Sequence, residues 1–273
     1  MENSDFKKIY DAGILDVDDF VVDTLAFEAV MGSHAYGVAT EESDYDIVGF
    51  CVPPKNLVFP HLDGQIKGFG RQKQGFRQFN RDHIDLFCHE WDVTIYSIVR
   101  FFELSMDCNP NMVEVLFAPD RCVKYINRVG NLVRLNRHLF LHKGAFYRLQ
   151  GFAKSMLNKM RKKDREHERL LKYGYHMVRL IDQCRQILET GDLILDNNVE
   201  KLTAVREGEW TLDEIEEYFE RSEVELRELY ETSNAVRYKP DEDALKGLLL
   251  HALEEHYGTL EGCIHFDQYT IPH

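Results

Sequence analysis

Apolar residues from Phe20 to Met31 alternate imperfectly and include β-branched and aromatic types, which predicts a strand within 24–31. It runs into the small-residue turn Gly32-Ser33-His34-Ala35, where a short helix opens near Ala35. The run Tyr45-Asp46-Ile47-Val48-Gly49-Phe50-Cys51-Val52 predicts a second strand, stopped by Pro53-Pro54, which cannot extend a ladder. Residues 55–82, with Pro60, Gly64, Gly68, Gly70 and Gly75, read as a long irregular insertion, and such a loop in a compact domain is more often functional than idle. A third strand is expected within 83–96. Ile98, Phe101, Phe102 and Met106 have helical spacing, and Asn109 caps a following helix with Pro110 in its first turn.

Beyond about residue 120 the pattern becomes mainly helical. Helical periodicity covers 128–138, 142–162, 165–190, 211–231 and 240–257, broken at Gly191-Asp192, at Gly208-Glu209 and over 232–240. Thr211-Leu212-Asp213-Glu214 is a capping box. The pattern therefore divides the chain into an α/β (α+β) half, 1–120, and a helical half, 121–273. Internal repeats and low-complexity tracts are not evident.

Composition narrows the class. A chain of 273 residues with 44% hydrophobic content is ordinary for one large or two modest globular domains. Its apolar runs fall short of the roughly 20 residues a membrane span requires. The start, Met1-Glu2-Asn3-Ser4-Asp5, is acidic and unlike a signal peptide. Six cysteines with no CxxC pair read as reduced thiols of a cytosolic protein, and Cys88-His89 alone is not a zinc ligand set.

A net charge of −14 argues against nucleic acid, yet the charge is segregated. From Arg121 to Lys172 there are 15 Lys and Arg against 3 Asp and Glu. A smaller basic cluster comprises Lys67, Arg71, Lys73, Arg77 and Arg81. Such segregation fits a protein that meets a polyanion on one side; the alternative is a set of solvated basic helix faces. The glycines and cations of Gly68-Phe69-Gly70-Arg71-Gln72-Lys73 suit either a loop closing over substrate or a solvated basic loop.

The chemistry concentrates at Gly32-Ser33 and at Asp44-x-Asp46. On a strand, i and i+2 share a face about 6.5–7 Å apart. Two acids so placed can flank two magnesium ions about 3.5–4 Å apart, and each ion takes few protein carboxylates beside water and phosphate oxygens. The glycine lets backbone approach a phosphate closely. The plainer alternative is a turn aspartate followed by a solvent-facing strand residue, although acids are depleted in strand interiors. A third carboxylate would complete the site; Asp85 and Asp92 both qualify, and periodicity does not choose between them. Lys172, His176, Arg179 and Gln183 follow i, i+4, i+7, i+11 and stack on one helix face. That face is either solvated or a phosphate clamp, with Arg179 bidentate and Lys172 a point charge.

Gly32-Ser33 with Asp44 and Asp46 resembles the DNA polymerase β-like nucleotidyltransferase superfamily. The longer match is similar to a large branch of it, seen in bacteriophages and linked to bacterial RNA repair. The similarity runs through Trp91-Asp92-Val93-Thr94-Ile95-Tyr96-Ser97-Ile98, Asn109-Pro110-Asn111, Glu114 and Leu116-Phe117. It continues in Phe140-Leu141-His142-Lys143-Gly144, His176-Met177-Val178-Arg179-Leu180 and Val205-Arg206-Glu207-Gly208-Glu209-Trp210, covering about 25 to about 258. The resemblance implies a nucleotidyltransferase fold with a small mixed sheet, followed by an all-helical C-terminal domain. It favours Asp92 as third carboxylate, with Asp44, Asp46 and Asp92 holding two Mg2+ ions. Gly32 and Ser33 would hold the β- and γ-phosphates, and Lys143, Lys172, His176, Arg179 and Arg206 are further nucleotide-binding candidates. His34 stands where the branch usually has a small or basic residue, and reads as a polar turn residue near phosphate. The implied reaction moves a nucleoside monophosphate from a nucleoside triphosphate, ATP first among the donors, to a hydroxyl such as an RNA 3′ end. Residues 121–172 would meet that RNA, in the cytosol of a bacterium or a phage-infected host. AMPylation of a protein, or nucleotide and RNA binding without turnover, remain alternatives.

Overall fold

The computed structural model describes residues 4–59, 75–162 and 166–259. Five strands form one sheet: β1 (Leu25–Val30), β2 (Tyr45–Cys51), β3 (Gln78–Leu86), β4 (His89–Ser97) and β5 (Val123–Ile126). Their order is β3-β4-β2-β1-β5, with β2 and β4 parallel and the other pairs antiparallel. The fold is thus α+β with a mixed sheet, followed by helices.

One sheet face is covered by α1 (Asp5–Asp11) and α2 (Asp19–Asp23), which close over Ile47, Trp91, Val93 and Ile95. Helix α1 begins where Ser4 Oγ accepts from Lys7 N at 3.0 Å. The buried Glu28 carboxylate on β1 accepts from the Asp5 and Phe6 amides at 2.8 and 3.0 Å, fastening that helix to the sheet. Phe50 belongs to the larger core on the other face, built mainly by helices. These are α5 (Ile98–Met106), α6 (Pro110–Leu116), α7 (Arg128–Leu135), α8 (Gly144–Arg161), α9 (His167–Thr190), α10 (Val199–Arg206), α11 (Leu212–Thr232) and α12 (Glu242–Tyr257); the short α3 (Gly32–Ala35) and α4 (Lys55–Val58) flank β2. Helix α9 is the hub, packed against α8, α10 and α11.

Most expected elements are present, including the Asn109 cap and the Thr211–Glu214 capping box. Three departures bear on the site, and one expectation is untested. The expected third strand is a hairpin of two strands, β3 and β4, turning through Phe87 and Cys88 at φ 54° and 65°. Residues 78–82, expected in the irregular insertion, are the first half of β3. The candidate loop 68–73 lies outside the described residues, as do Lys67 and Arg71. Strand β5 lies past residue 120, so the segment read as helical also completes the sheet.

Candidate active site

Met31 N donates to the Asp46 carbonyl at 2.7 Å, so the turn leaving β1 begins beside Asp46. That turn is the single-turn helix α3 (Gly32–Ala35). Gly32 has φ +58°, and a Cβ on it would fall 1.9 Å from Asp46 Oδ2. Only glycine both adopts the left-handed backbone easily and leaves room for the carboxylate. The chain returns through a turn in which Thr40 N donates to Ser43 Oγ at 2.9 Å and Ser43 N to the Thr40 carbonyl at 3.1 Å. It leaves Asp44 exposed and Asp46 half-buried at the head of β2.

Asp92 comes from the neighbouring strand. Trp91, Val93 and Ile95 are buried under α1 and α2, so the alternating residues Asp92, Thr94 and Tyr96 occupy the other face. Asp46 and Asp92 are register partners across the parallel pair. Asp92 Oδ1 accepts from the backbone N–H of His83 at 2.8 Å. His83 lies where the β3 register shifts between Arg81 and Ile84, and has φ 57°. A β-bulge therefore supplies the donor that orients Asp92. His83, Glu90 and Asp92 each offer a ligand-type atom within 4.8 Å of the others at this edge.

Across from the acids, α8, α9 and α10 form the other wall of a cleft of about 840 Å³. Gly32, Ser33, Asp44, Asp46 and Asp92 line one side; Lys159, Lys172, His176, Arg179 and Arg206 line the other. Burial, then the charges of Asp92 and Asp44, push the Asp46 carboxyl up to about 6 against the pull of Lys172 and Arg179. Burial, then Arg179, Lys172, Lys159 and Arg206, push the His176 imidazole down to about 3. Like charge thus crowds Asp46 on one wall and His176 on the other, although Glu166 and Glu168 also line the cleft. Burial opposes the Arg179 charge, but Glu114 chiefly, with Tyr36, Tyr175 and Asp46, holds its pKa above the ordinary value. Arg179 Nη1 lies 3.5 Å from Glu114 Oε2, and its guanidinium sits 4.4 Å from the centre of the Tyr36 ring. The Tyr36 hydroxyl donates to the same carboxylate.

A family model described as RlaP, RNA repair pathway DNA polymerase beta family, matches residues 14–257. The chain belongs to that family. No curated protein and no solved structure matches it. Membership of RlaP points to nucleotidyl-transfer chemistry in an RNA-repair setting, and the α+β fold with its helical second part accords with it. Among the described residues no helix is long and apolar enough to cross a membrane.

Within this RlaP chain the cleft gathers nine of the ten sequence candidates: Gly32, Ser33, Asp44, Asp46, Asp92, Lys172, His176, Arg179 and Arg206. Lys143 is the exception. It is buried outside the cleft, where its Nζ donates to the Tyr230 carbonyl at 2.7 Å and lies over that ring. Asp85 is exposed, pairs in register with Glu90, and is not among the cleft residues. His34 does not line the cleft either; its ring stacks on Tyr45, with centroids 4.3 Å apart, and Tyr45 stacks on Trp91. Gln183 is buried beside a small internal cavity with Cys108 and Glu114, so the α9 stripe enters the core after Arg179. Sequence reading missed Tyr36, Lys159 and the supporting role of Glu114. Glu114 had a signal: it is an acid inside the apolar run Met112-Val113-Glu114-Val115-Leu116.

Proposed function

We propose that this chain transfers a nucleoside monophosphate from a nucleoside triphosphate, ATP in the first instance, to a hydroxyl acceptor, an RNA 3′ end, releasing pyrophosphate. The carrying observation is the side-by-side placement of Asp46 and Asp92, with Asp44, facing Lys172 and Arg179 across one cleft. RlaP membership supports both the chemistry and the RNA context.

The residues present fit magnesium. Asp44, Asp46 and Asp92 line one side of the cleft, Asp46 and Asp92 level on neighbouring strands, and the raised Asp46 pKa marks a crowded negative site. An all-oxygen donor set suits Mg2+ rather than softer metals. Asp44, Asp46 and Asp92 would hold it, and when bound it supplies charge neutralisation at the phosphates. The remaining steps belong to the chain. Gly32 and Ser33 present backbone and hydroxyl groups to the β- and γ-phosphates. The acceptor oxygen attacks the α-phosphorus, its proton passes to an Asp92 oxygen, and the bond to pyrophosphate breaks. Arg179 and Lys172 meet the charge on the departing pyrophosphate. Asp92 acts from a fixed pose because the His83 amide holds Oδ1.

Incubating the protein with each labelled nucleoside triphosphate, Mg2+ and total RNA tests this reading. Label at RNA 3′ ends supports it. Label in protein, or tight nucleotide binding without incorporation, replaces it with AMPylation or a non-catalytic role. Asp44→Ala with Asp46→Ala must abolish labelling if the site is correctly assigned.

A further inference from the structure

The basic segment between Arg121 and Lys172 is partly consumed inside the molecule. Arg121, Lys124, Arg128, Arg134, Arg148 and Arg161 each reach a carboxylate of this chain within 3.8 Å. Lys143 is bound to the Tyr230 carbonyl. Lys154, Lys159 and Lys162, like Arg137, Arg169 and Lys172, have no carboxylate partner among the described residues, and Lys159 Nζ lies 5.6 Å from the centre of the Tyr173 ring. The first three lie on α8 or immediately after it, and with Gly151, Ser155 and Asn158 they line a groove of about 420 Å³.

Positions 151, 154, 155, 158, 159 and 162 fall on one helix face. That groove lining holds no acid, and its polar side chains, Ser155, Asn158 and the lysines, are suited to phosphate oxygens. Nothing would lie within 4 Å of a Cβ on Gly151, so the groove floor is open there. Lys159 lines both this groove and the acid-bearing cleft, so the two adjoin at that side chain. At the far end, one turn before Gly151 on the same face, Tyr147 is 63% exposed. From Tyr147 to Lys159 the helix rises about 18 Å, room for several nucleotides.

We infer that this α8 face is the track for single-stranded RNA whose 3′ end enters the cleft past Lys159. Lys154 and Lys162 contact phosphates upstream of the reacting end, Ser155 and Asn158 add neutral hydrogen bonds, and Tyr147 offers a ring for an upstream base. Charge complementarity and adjacency to the cleft select a polyanionic strand over a protein or a membrane. The track rests on the proposed nucleotidyl transfer to RNA for its direction, but its binding is measurable without turnover.

The test uses full-length protein carrying Lys154→Glu and Lys162→Glu, which lie outside the cleft, with Lys154→Gln and Lys162→Gln as a milder pair. Four readouts are taken: binding of a labelled single-stranded oligoribonucleotide over a salt series, binding to anionic lipid vesicles, nucleotide binding, and transfer to a trinucleotide acceptor. Expected for the glutamate pair is a loss of at least about tenfold in oligonucleotide affinity, and the glutamine pair lowers the log–log salt slope by about 1.4 for two lost contacts. Nucleotide binding and trinucleotide transfer stay at the wild-type level. Wild-type affinity in both pairs overturns the track, as does binding to anionic lipid vesicles with none to RNA. Loss of nucleotide binding in parallel also overturns it, because the lysines then act through the cleft. Absence of transfer in every protein, with length-dependent RNA binding lost in the variants, would retire the proposed reaction and leave the track standing.

Discussion

Asp46 on β2 and Asp92 on β4 are register partners across the parallel strand pair, so their carboxylates leave one sheet face side by side. Neither is placed by its own local sequence alone. The parallel pairing puts them level, and burial with Asp92 and Asp44 nearby pushes Asp46 up to about 6.

Asp46→Asn is therefore expected to stabilise the metal-free protein while destroying transfer. A folded-state pKa raised above the ordinary carboxylate value means that stability present at low pH is lost as pH climbs towards and through about 6. Removing the charge recovers roughly 1–2 kcal/mol at neutral pH after allowance for partial exposure. Urea unfolding in the presence of chelator measures this. With saturating Mg2+ the order reverses, since ligand binding stabilises the wild type more.

Arg179, which lines the cleft, pairs with the buried Glu114 behind it. Arg179→Gln leaves Glu114 buried without its cation and should cost about 3 kcal/mol of stability, along with at least about a hundredfold in transfer rate. The double variant Glu114→Gln, Arg179→Gln should recover most of the stability and none of the rate. Thermal unfolding and single-turnover kinetics on all three proteins separate the two effects.

Glu28 gives a pH dependence remote from the cleft. Burial pushes its carboxyl up to about 7, against hydrogen bonds from Ser4, Phe6 and Asp5. Stability contributed by its protonated form is complete below about 4.5 and lost as pH rises through about 7. Glu28→Gln keeps acceptors for the two amides and should remove that decline, worth roughly 3 kcal/mol. Denaturation curves between about pH 5 and 8 report it.

Lys143 checks the boundary of the site. Lys143→Met should lower stability by about 1 kcal/mol through loss of its bond to the Tyr230 carbonyl, leaving nucleotide affinity unchanged. Calorimetric titration with nucleotide reads the second half.

The parts of the site carried by strong local patterns were legible in the sequence: the Gly32-Ser33 turn, the Asp44-x-Asp46 strand head and the 172–176–179 helix face. The choice between Asp85 and Asp92 was legible only through the family resemblance, because periodicity holds no record of strand pairing. The hairpin turn at Phe87-Cys88 lacks the glycine or asparagine that usually marks one, so β3 and β4 read as one segment. The alternation Trp91, Val93, Ile95 against Asp92, Thr94, Tyr96 holds the information once both strands are known. The placement of Lys143 outside the cleft was not legible because a short local motif carries no record of which carbonyl its side chain reaches. Helix α10 escaped because its eight residues lie between two breaks with little periodicity of their own.

The central claim meets its most direct test in the rate of label transfer from a nucleoside triphosphate to an RNA 3′ end by wild type, Asp92→Asn and Asp85→Asn. Wild type should transfer, Asp92→Asn should fall by at least about a thousandfold, and Asp85→Asn should match wild type. Undiminished transfer by Asp92→Asn, or equal loss in both variants, would contradict the account.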